Sequence, residues 1–209
     1  MRARKEKSNK MRNKTVVAMV TAALPMLVGV GAVRAGGWEI DGAHSGAHFS
    51  VRHLMVSNVR GDLSKITGTL NLDDKDISKS TVEATIDAST VSTGEPKRDE
   101  HLRSADFFDV AKFPQLTFKS TKVEKAGDRL KVTGNLTIHG VTKSVTLDVE
   151  PLSPEVKDPW GNVKRGASAT TKISRKEFGL GWNKALETGG VVVGDEVSIQ
   201  IDLELNKKK

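Results

Sequence analysis

Residues 98–123 read RDEHLRSADFFDVAKFPQLTFKSTKV, a charged segment that runs into an aromatic-rich one across Phe113-Pro114. The first half has helical spacing. Asp99 and Arg103 stand four apart with the acid on the N-terminal side, which on a helix predicts a contact of roughly 0.2–0.5 kcal/mol. Leu102, Ala105 and Phe108 predict a narrow apolar stripe on another face. Pro96 suits the first turn, and Asp99 and Glu100 place negative charge at the positive end of the helix dipole. Pro114 disfavours helical backbone at Phe113, so the helix is expected to end there and a strand to begin. A helix apolar on one side only is expected to lie against a sheet as a lid or plug.

Outward from this stretch, nearly every segment alternates with a period of two, the mark of half-buried antiparallel strands. Before it come Trp38-Glu39-Ile40, then Phe49, Val51 and His53, then Ile66, Gly68, Leu70 and Leu72, then Val82, Ala84, Ile86 and Ala88. After it come Leu130, Val132, Gly134, Leu136 and Ile138, then Val145, Leu147 and Val149, then Ala167, Ala169, Thr171 and Ile173. Val197, Ile199, Ile201, Leu203 and Leu205 close the series, and Lys207-Lys208-Lys209 reads as a frayed tail. Between Phe118 and Val123 the parity slips, which predicts a bulge or a strand end. Asp73 to Asp76 and Lys125 to Asp128 read as turns, and His139-Gly140 as a tight hairpin. Pro151, Pro154, Pro159 and Gly161 mark a long loop, Arg175 to Phe178 one helical turn, and Gly179 to Gly194 an irregular segment. About eight strands and one inserted helix predict an all-β fold, an antiparallel barrel in which closure removes exposed edges. A two-sheet sandwich is the alternative.

The formal charge of +7 lies wholly in residues 1–35, which hold eight basic residues against Glu6 alone. The remaining 25 basic and 25 acidic residues balance, so the electrostatic footprint of a nucleic-acid binder is missing. Residues 1–35 read as a signal peptide: a basic region to Lys14, an apolar run from Thr15 to Val33, and small residues before a cleavage point after Ala35. Met11 opens a more ordinary signal of its own. An uncleaved anchor is disfavoured by Pro25, Gly29 and Gly31 in a run marginal for a membrane span. Residues 36–209 are then one domain, periplasmic or secreted. Without cysteine it has no disulfides and relies on its core.

Candidate chemistry is sparse. His44 and His48 share strand parity and His53 has the opposite one, so a straight strand does not present all three to a metal. Ser45 beside His44, and Ser104 near His101 and Asp106, supply triad residue types without a nucleophile-elbow pattern. The carboxylates of Asp99, Glu100, Asp106 and Asp109 read as a solvated helix face. More suggestive are Ala84, Ala88, Gly134, Ala167, Ala169 and Thr171, small residues on inward parities. They would leave room in an eight-stranded barrel, which can hold one small ligand.

At Arg98 to Phe108, Lys112-Phe113-Pro114 and Phe118 to Thr121, the chain resembles the YceI-like polyisoprenoid-binding family. Ile40-Asp41 with His44-Ser45, Thr133 to Ile138 with Gly140 to Lys143, Asp158 to Gly161, and Phe178-Gly179 carry the same resemblance, in order, over Trp38 to Leu205. It implies a lipocalin-like barrel, exported, that holds a long-chain isoprenoid or similar lipid, of polyprenyl phosphate or quinone type, along its interior. No enzyme and no cofactor are implied. The expected lining includes Ile86, Val132, Leu136, Ile138, Val145, Leu147, Ala169, Ile199, Ile201 and Leu203, with Phe107 and Phe108 near one end. Transient membrane contact and a homodimer are compatible with this reading. Its rivals are a stress-response interaction module with an incidental cavity, and a hydrolase of lipid or amide substrates using His44, His48 or His101 as base.

Overall fold

The computed structural model describes residues 36–187 and 189–208, and the segment read as a signal lies outside them. Before the helix the strands are β1 (Gly36–Ile40), β2 (Gly46–His53), β3 (Ser57–Leu63), β4 (Ile66–Leu72) and β5 (Thr81–Asp87). The helix is α1 (Pro96–Arg103). Then follow β6 (Gln115–Ala126), β7 (Arg129–Ile138), β8 (Val141–Val149), β9 (Val156–Lys157), β10 (Val163–Ser174) and β11 (Val193–Lys207). None of the described helices is long and apolar enough to cross a membrane.

The seam of the fold is β11. One edge pairs antiparallel with β10 over eleven positions, from Ser174 opposite Glu196 to Lys164 opposite Asn206. The other edge is shared, β2 taking the first part up to Asp202 and β1 taking Leu205 to Lys207. In turn β3 pairs with β2, and β4 with β1. Thus β1 with β2, and β4 with β3, act as two long staves, broken at residues 41–45 and 64–65. From β4 the ladder runs through β5, β6, β7 and β8 to β10 and so back to β11. The result is a closed antiparallel barrel of eight staves, and the sandwich alternative falls away.

The two breaks explain the helix. β5 ends at Asp87, leaving β3 with a single bridge on its far edge, where Asp62 and Ser92 exchange backbone hydrogen bonds of 2.8 and 3.0 Å. Residues 88–113 fill the gap, so α1 plugs one end of the barrel. Pro96 sits in its first turn as expected, and Glu95 caps it by accepting from the Lys97 amide. The helix ends ten residues earlier than the proline signal predicts. Ser104 caps it, and the amides of Phe108 and Val110 fold back onto the carbonyls of Leu102 and Arg103. Ala105 and Phe108 are therefore not helical, and the predicted stripe does not exist. Nor do Asp99 and Arg103 pair with each other. Buried Asp99 accepts from the Thr93 amide at 2.7 Å and from its hydroxyl, while Arg103 donates to the carbonyls of Ser89 and Val91. Each charge ties the helix to the loop before it, where buried carbonyls and amides need partners.

The turns behave as their residues dictate. His139 and Gly140 have φ of 52° and 73°, the left-handed pair of a two-residue hairpin turn. The parity slip in β6 is a bulge between Ser120 and Lys122. Arg175–Phe178 forms one turn of 3-10 helix. The presumed tail is ordered further than expected: Lys207 pairs with Trp38 in the ladder, lies 5.5 Å from its ring centre, and bonds Glu155 at 3.0 Å. Of that tail, Lys208 is also described, its amide donating to the Gly37 carbonyl at 2.8 Å, and Lys209 lies outside the described residues.

Candidate functional site

The barrel encloses a cavity of about 380 Å³. Its walls come from every long stave, and it runs from Leu72, Val123, Leu130 and Val149 to the end plugged by α1, here the helix end. At the helix end the wall is made by Val51 and His53 of β2, Arg98, His101 and Leu102 of α1, Phe107 and Phe108, and Leu180, Trp182 and Val192 of the irregular segment. Inward-facing Val82, Ala84, Ile86, Leu136, Leu147, Ile199, Ile201 and Leu203 are only half-buried. Facing inward and yet accessible, they border a lumen and not a packed centre.

Of the residues expected to line it, Ile86, Phe107, Phe108, Val132, Leu136, Ile138, Leu147, Ala169, Ile199, Ile201 and Leu203 are on the cavity wall. Val145 is not, and it packs against the hydrophobic core. Its cross-strand partner is Gly134, over which the Phe118 ring lies, so Phe118 holds the place facing the lumen. For the same reason Gly134 does not enlarge the cavity. Ala88 is fully buried in the short turn after β5 and also lies off the wall, whereas Ala84, Ala167, Ala169 and Thr171 are on it.

Several wall residues escaped the periodic reading. Leu180, Trp182, Val192 and Arg175 stand in or beside a glycine-rich segment with no period to follow. Arg175 organises that segment. It is buried, and its guanidinium donates to the carbonyls of Gly194 at 2.8 Å, Trp182 at 2.9 Å, Val193 at 3.2 Å, and Leu180. Burial pushes this group below the ordinary arginine value. Trp182, His101 and Phe107 then meet as a ring cluster, the histidine edge-on to both aromatics with centres 4.9 and 5.0 Å away. Sequence alone separates these residues by as much as 81 positions, and nothing local links them.

The wall carries no carboxylate among the described residues, and the ionisable side chains that face it are His53, Arg98, His101 and Arg175, while His48 borders it with its ring turned outward to Asp62. His53, Arg98, His101 and Arg175 lie at the helix end. His101 bonds Asp106 at 2.8 Å, which lies off the wall. The Ser104 hydroxyl donates to the His101 carbonyl, a helix-capping bond that directs its proton away from any ring nitrogen. Ser45 is likewise structural, donating to the Glu204 carbonyl and accepting from the Glu204 amide at 3.0 Å.

His44, Asp41 and Glu204 gather outside the lumen at the break between β1 and β2, close enough to one another to hold a metal ion. Lys164 bridges the two carboxylates of that group, its ammonium 2.9 Å from Asp41 and 2.7 Å from Glu204. Glu204 and Asp41 push Lys164 well above the ordinary lysine range, and Lys164 with His44 holds Asp41 well below the carboxylate range. The positive charge a cation would bring is already present. His48 bonds Asp62 at 2.6 Å on the outer face of β2, and His53 faces inward, so the three histidines do not converge.

A closed antiparallel barrel around an almost wholly apolar lumen is a ligand-binding barrel of lipocalin-like architecture. The YceI-like domain matches residues 38–205, and the chain belongs to that family. It is 43% identical over 157 residues to protein YceI of Salmonella newport (strain SL254), covering 74% of this chain and 82% of the relative. Among solved structures it is similar to Burkholderia cenocepacia BcnA, with a TM-score of 0.69 and 25% identity, covering 79% of this chain and 98% of that one. The Campylobacter jejuni YCEI protein gives 0.62 and 33%, covering 75% and 90%. A polyisoprenoid binding domain from Saccharophagus degradans shares the fold, with 0.60 and 16%, covering 82% and 98%.

Proposed function

We propose that the protein is a non-catalytic, exported carrier that holds one long-chain lipid, of isoprenoid type, lengthwise in the barrel. The observation that carries this reading is the lumen itself: long, predominantly apolar on every stave, with Arg98, His101, His53 and Arg175 gathered at the helix end. Eleven paired positions along β10 and β11, at roughly 3.4 Å each, give a strand path of roughly 35 Å, suited to a chain and not to a compact ligand. Each methylene taken from water contributes about 0.8 kcal/mol, so such a lipid needs either a bilayer or a sleeve of this kind. The Saccharophagus domain that shares the fold is a polyisoprenoid binding domain, which favours the same class of cargo. Export follows from the basic and apolar character of residues 1–35.

Within the lumen, Ile86, Val132, Leu136, Ile138, Leu147, Ile199, Ile201 and Leu203 grip the tail, with Phe107 and Phe108 at the head-group end. His53, Arg98 and His101 at that end offer donors and positive charge, which suit an acceptor-rich head such as a phosphate or a quinone carbonyl. Extraction of the protein purified from its own cells, followed by mass spectrometry, is the test. About one lipid per chain is expected, and protein that is folded but free of lipid overturns the reading.

A further inference from the structure

We propose that the β2–β3 hairpin is a docking tip that seats the helix end of the barrel on an anionic lipid bilayer. The proposal rests on the carrier reading in one respect: a cargo this apolar must pass between lumen and membrane without crossing water. The tip is Leu54-Met55-Val56, closed by the pairing of His53 with Ser57. These side chains are 39, 52 and 74% exposed. Leu54 and Met55 have φ of 50° and 62°, the left-handed region that hairpin turns ordinarily fill with Asn or Gly. Large apolar side chains thus stand where both water and backbone disfavour them, a combination that marks an interaction surface.

The tip adjoins the lumen. The Leu54 amide donates to the Val192 carbonyl at 2.8 Å, and Val192, Val193 and His53 are all wall residues. Charge selects the partner. Between Asp41 and Asp62 the chain has no acidic residue, and the hairpin carries Arg52 and Arg60, both exposed. Among the described residues the Arg52 guanidinium donates to the neutral amide oxygen of Asn58 and to no carboxylate. Apolar side chains flanked by basic residues favour a bilayer with anionic head groups. The opposite end also exposes Val156 and Trp160, but neither touches the lumen, and the charges beside them are mixed, Glu155 being paired with Lys207.

The experiment is sedimentation of the protein, as recovered from its own cells, with vesicles of phosphatidylethanolamine and phosphatidylglycerol, and with vesicles of phosphatidylcholine alone. Met55→Asn with Val56→Ser keeps the left-handed backbone acceptable and is expected to weaken binding to the anionic vesicles about tenfold or more. Arg52→Gln with Arg60→Gln is expected to weaken it by about fivefold per charge and to leave binding to phosphatidylcholine unchanged. Val156→Ser with Trp160→Ser is expected to change neither. Equal binding by the tip variant, or a loss confined to the Val156 and Trp160 variant, overturns the proposal. Lipid content of the same preparations separates the two readings: protein free of lipid that docks through the tip sinks the carrier and leaves the tip, and the reverse result does the opposite.

Discussion

The Phe118 ring lies across the backbone of Gly134 on the neighbouring strand, filling the space where any other residue would carry its first side-chain carbon. A β-carbon at Gly134 would also stand 2.6 Å from the Lys119 carbonyl oxygen, so the conflict involves backbone as well as ring. Gly134→Ala is therefore expected to cost about 1–3 kcal/mol, the range for overpacking a closed core. Urea unfolding checks it, and an unchanged midpoint would mean that the ring moves freely into the lumen.

Ala169 places a methyl group on the lumen wall between Val149 and Ile201. Ala169→Phe puts a ring into the channel, and the expected outcome is a folded barrel with its lipid expelled. Far-ultraviolet circular dichroism and extraction of the purified variant report the two halves of that expectation. Retention of a full complement of lipid would place the cargo elsewhere.

Lys164, Asp41 and Glu204 link β10, the break after β1, and β11. Asp41 is held below the ordinary carboxylate value of roughly 3.9. Its contribution is thus complete above that value and is lost as pH falls through the lower folded one. Lys164 is raised, so its contribution is complete below the ordinary lysine value of roughly 10.4 and is lost only as pH rises past the folded one. Lys164→Met should lower the melting temperature at pH 7, with the gap from wild type shrinking below about pH 4, where Asp41 of the unfolded chain takes up its proton first. A gap constant from pH 3 to 7 would refute the assignment.

Arg175 satisfies four carbonyls of the segment that closes the helix end. Arg175→Met leaves them without donors, at about 1–3 kcal/mol for a buried unsatisfied group. Hydrogen exchange should quicken first in residues 180–194, ahead of the β6–β7 ladder. Uniform quickening along the whole chain would make Arg175 a global strut and not a local one.

Much of the barrel was legible because antiparallel strands with one wet face write their burial as alternation. Ile199, Ile201 and Leu203 could be read directly as inward. What alternation does not distinguish is a side chain facing a void from one facing another side chain, and Val145 shows the difference. Its parity is that of Leu147, yet Phe118 stands over its partner strand. The proline signal overshoots the end of α1 because Pro114 marks only where helix is disfavoured, whereas Ser104 stops it through a cap. Arg175, His101 and Trp182 were hidden because their meeting depends on long-range closure and on hydrogen bonds to main-chain oxygens, which carry no sequence signature.

The seam made by β11 has a consequence for the order of events in biosynthesis. The stave that joins β1, β2 and β10 comes after all of them in chain order, so the described residues before Val193 cannot close a tube by themselves. Until β11 emerges, the strands before it have no partner to close the ring and their apolar face stays uncovered. Closure of the lumen and arrival of β11 are in that sense one event.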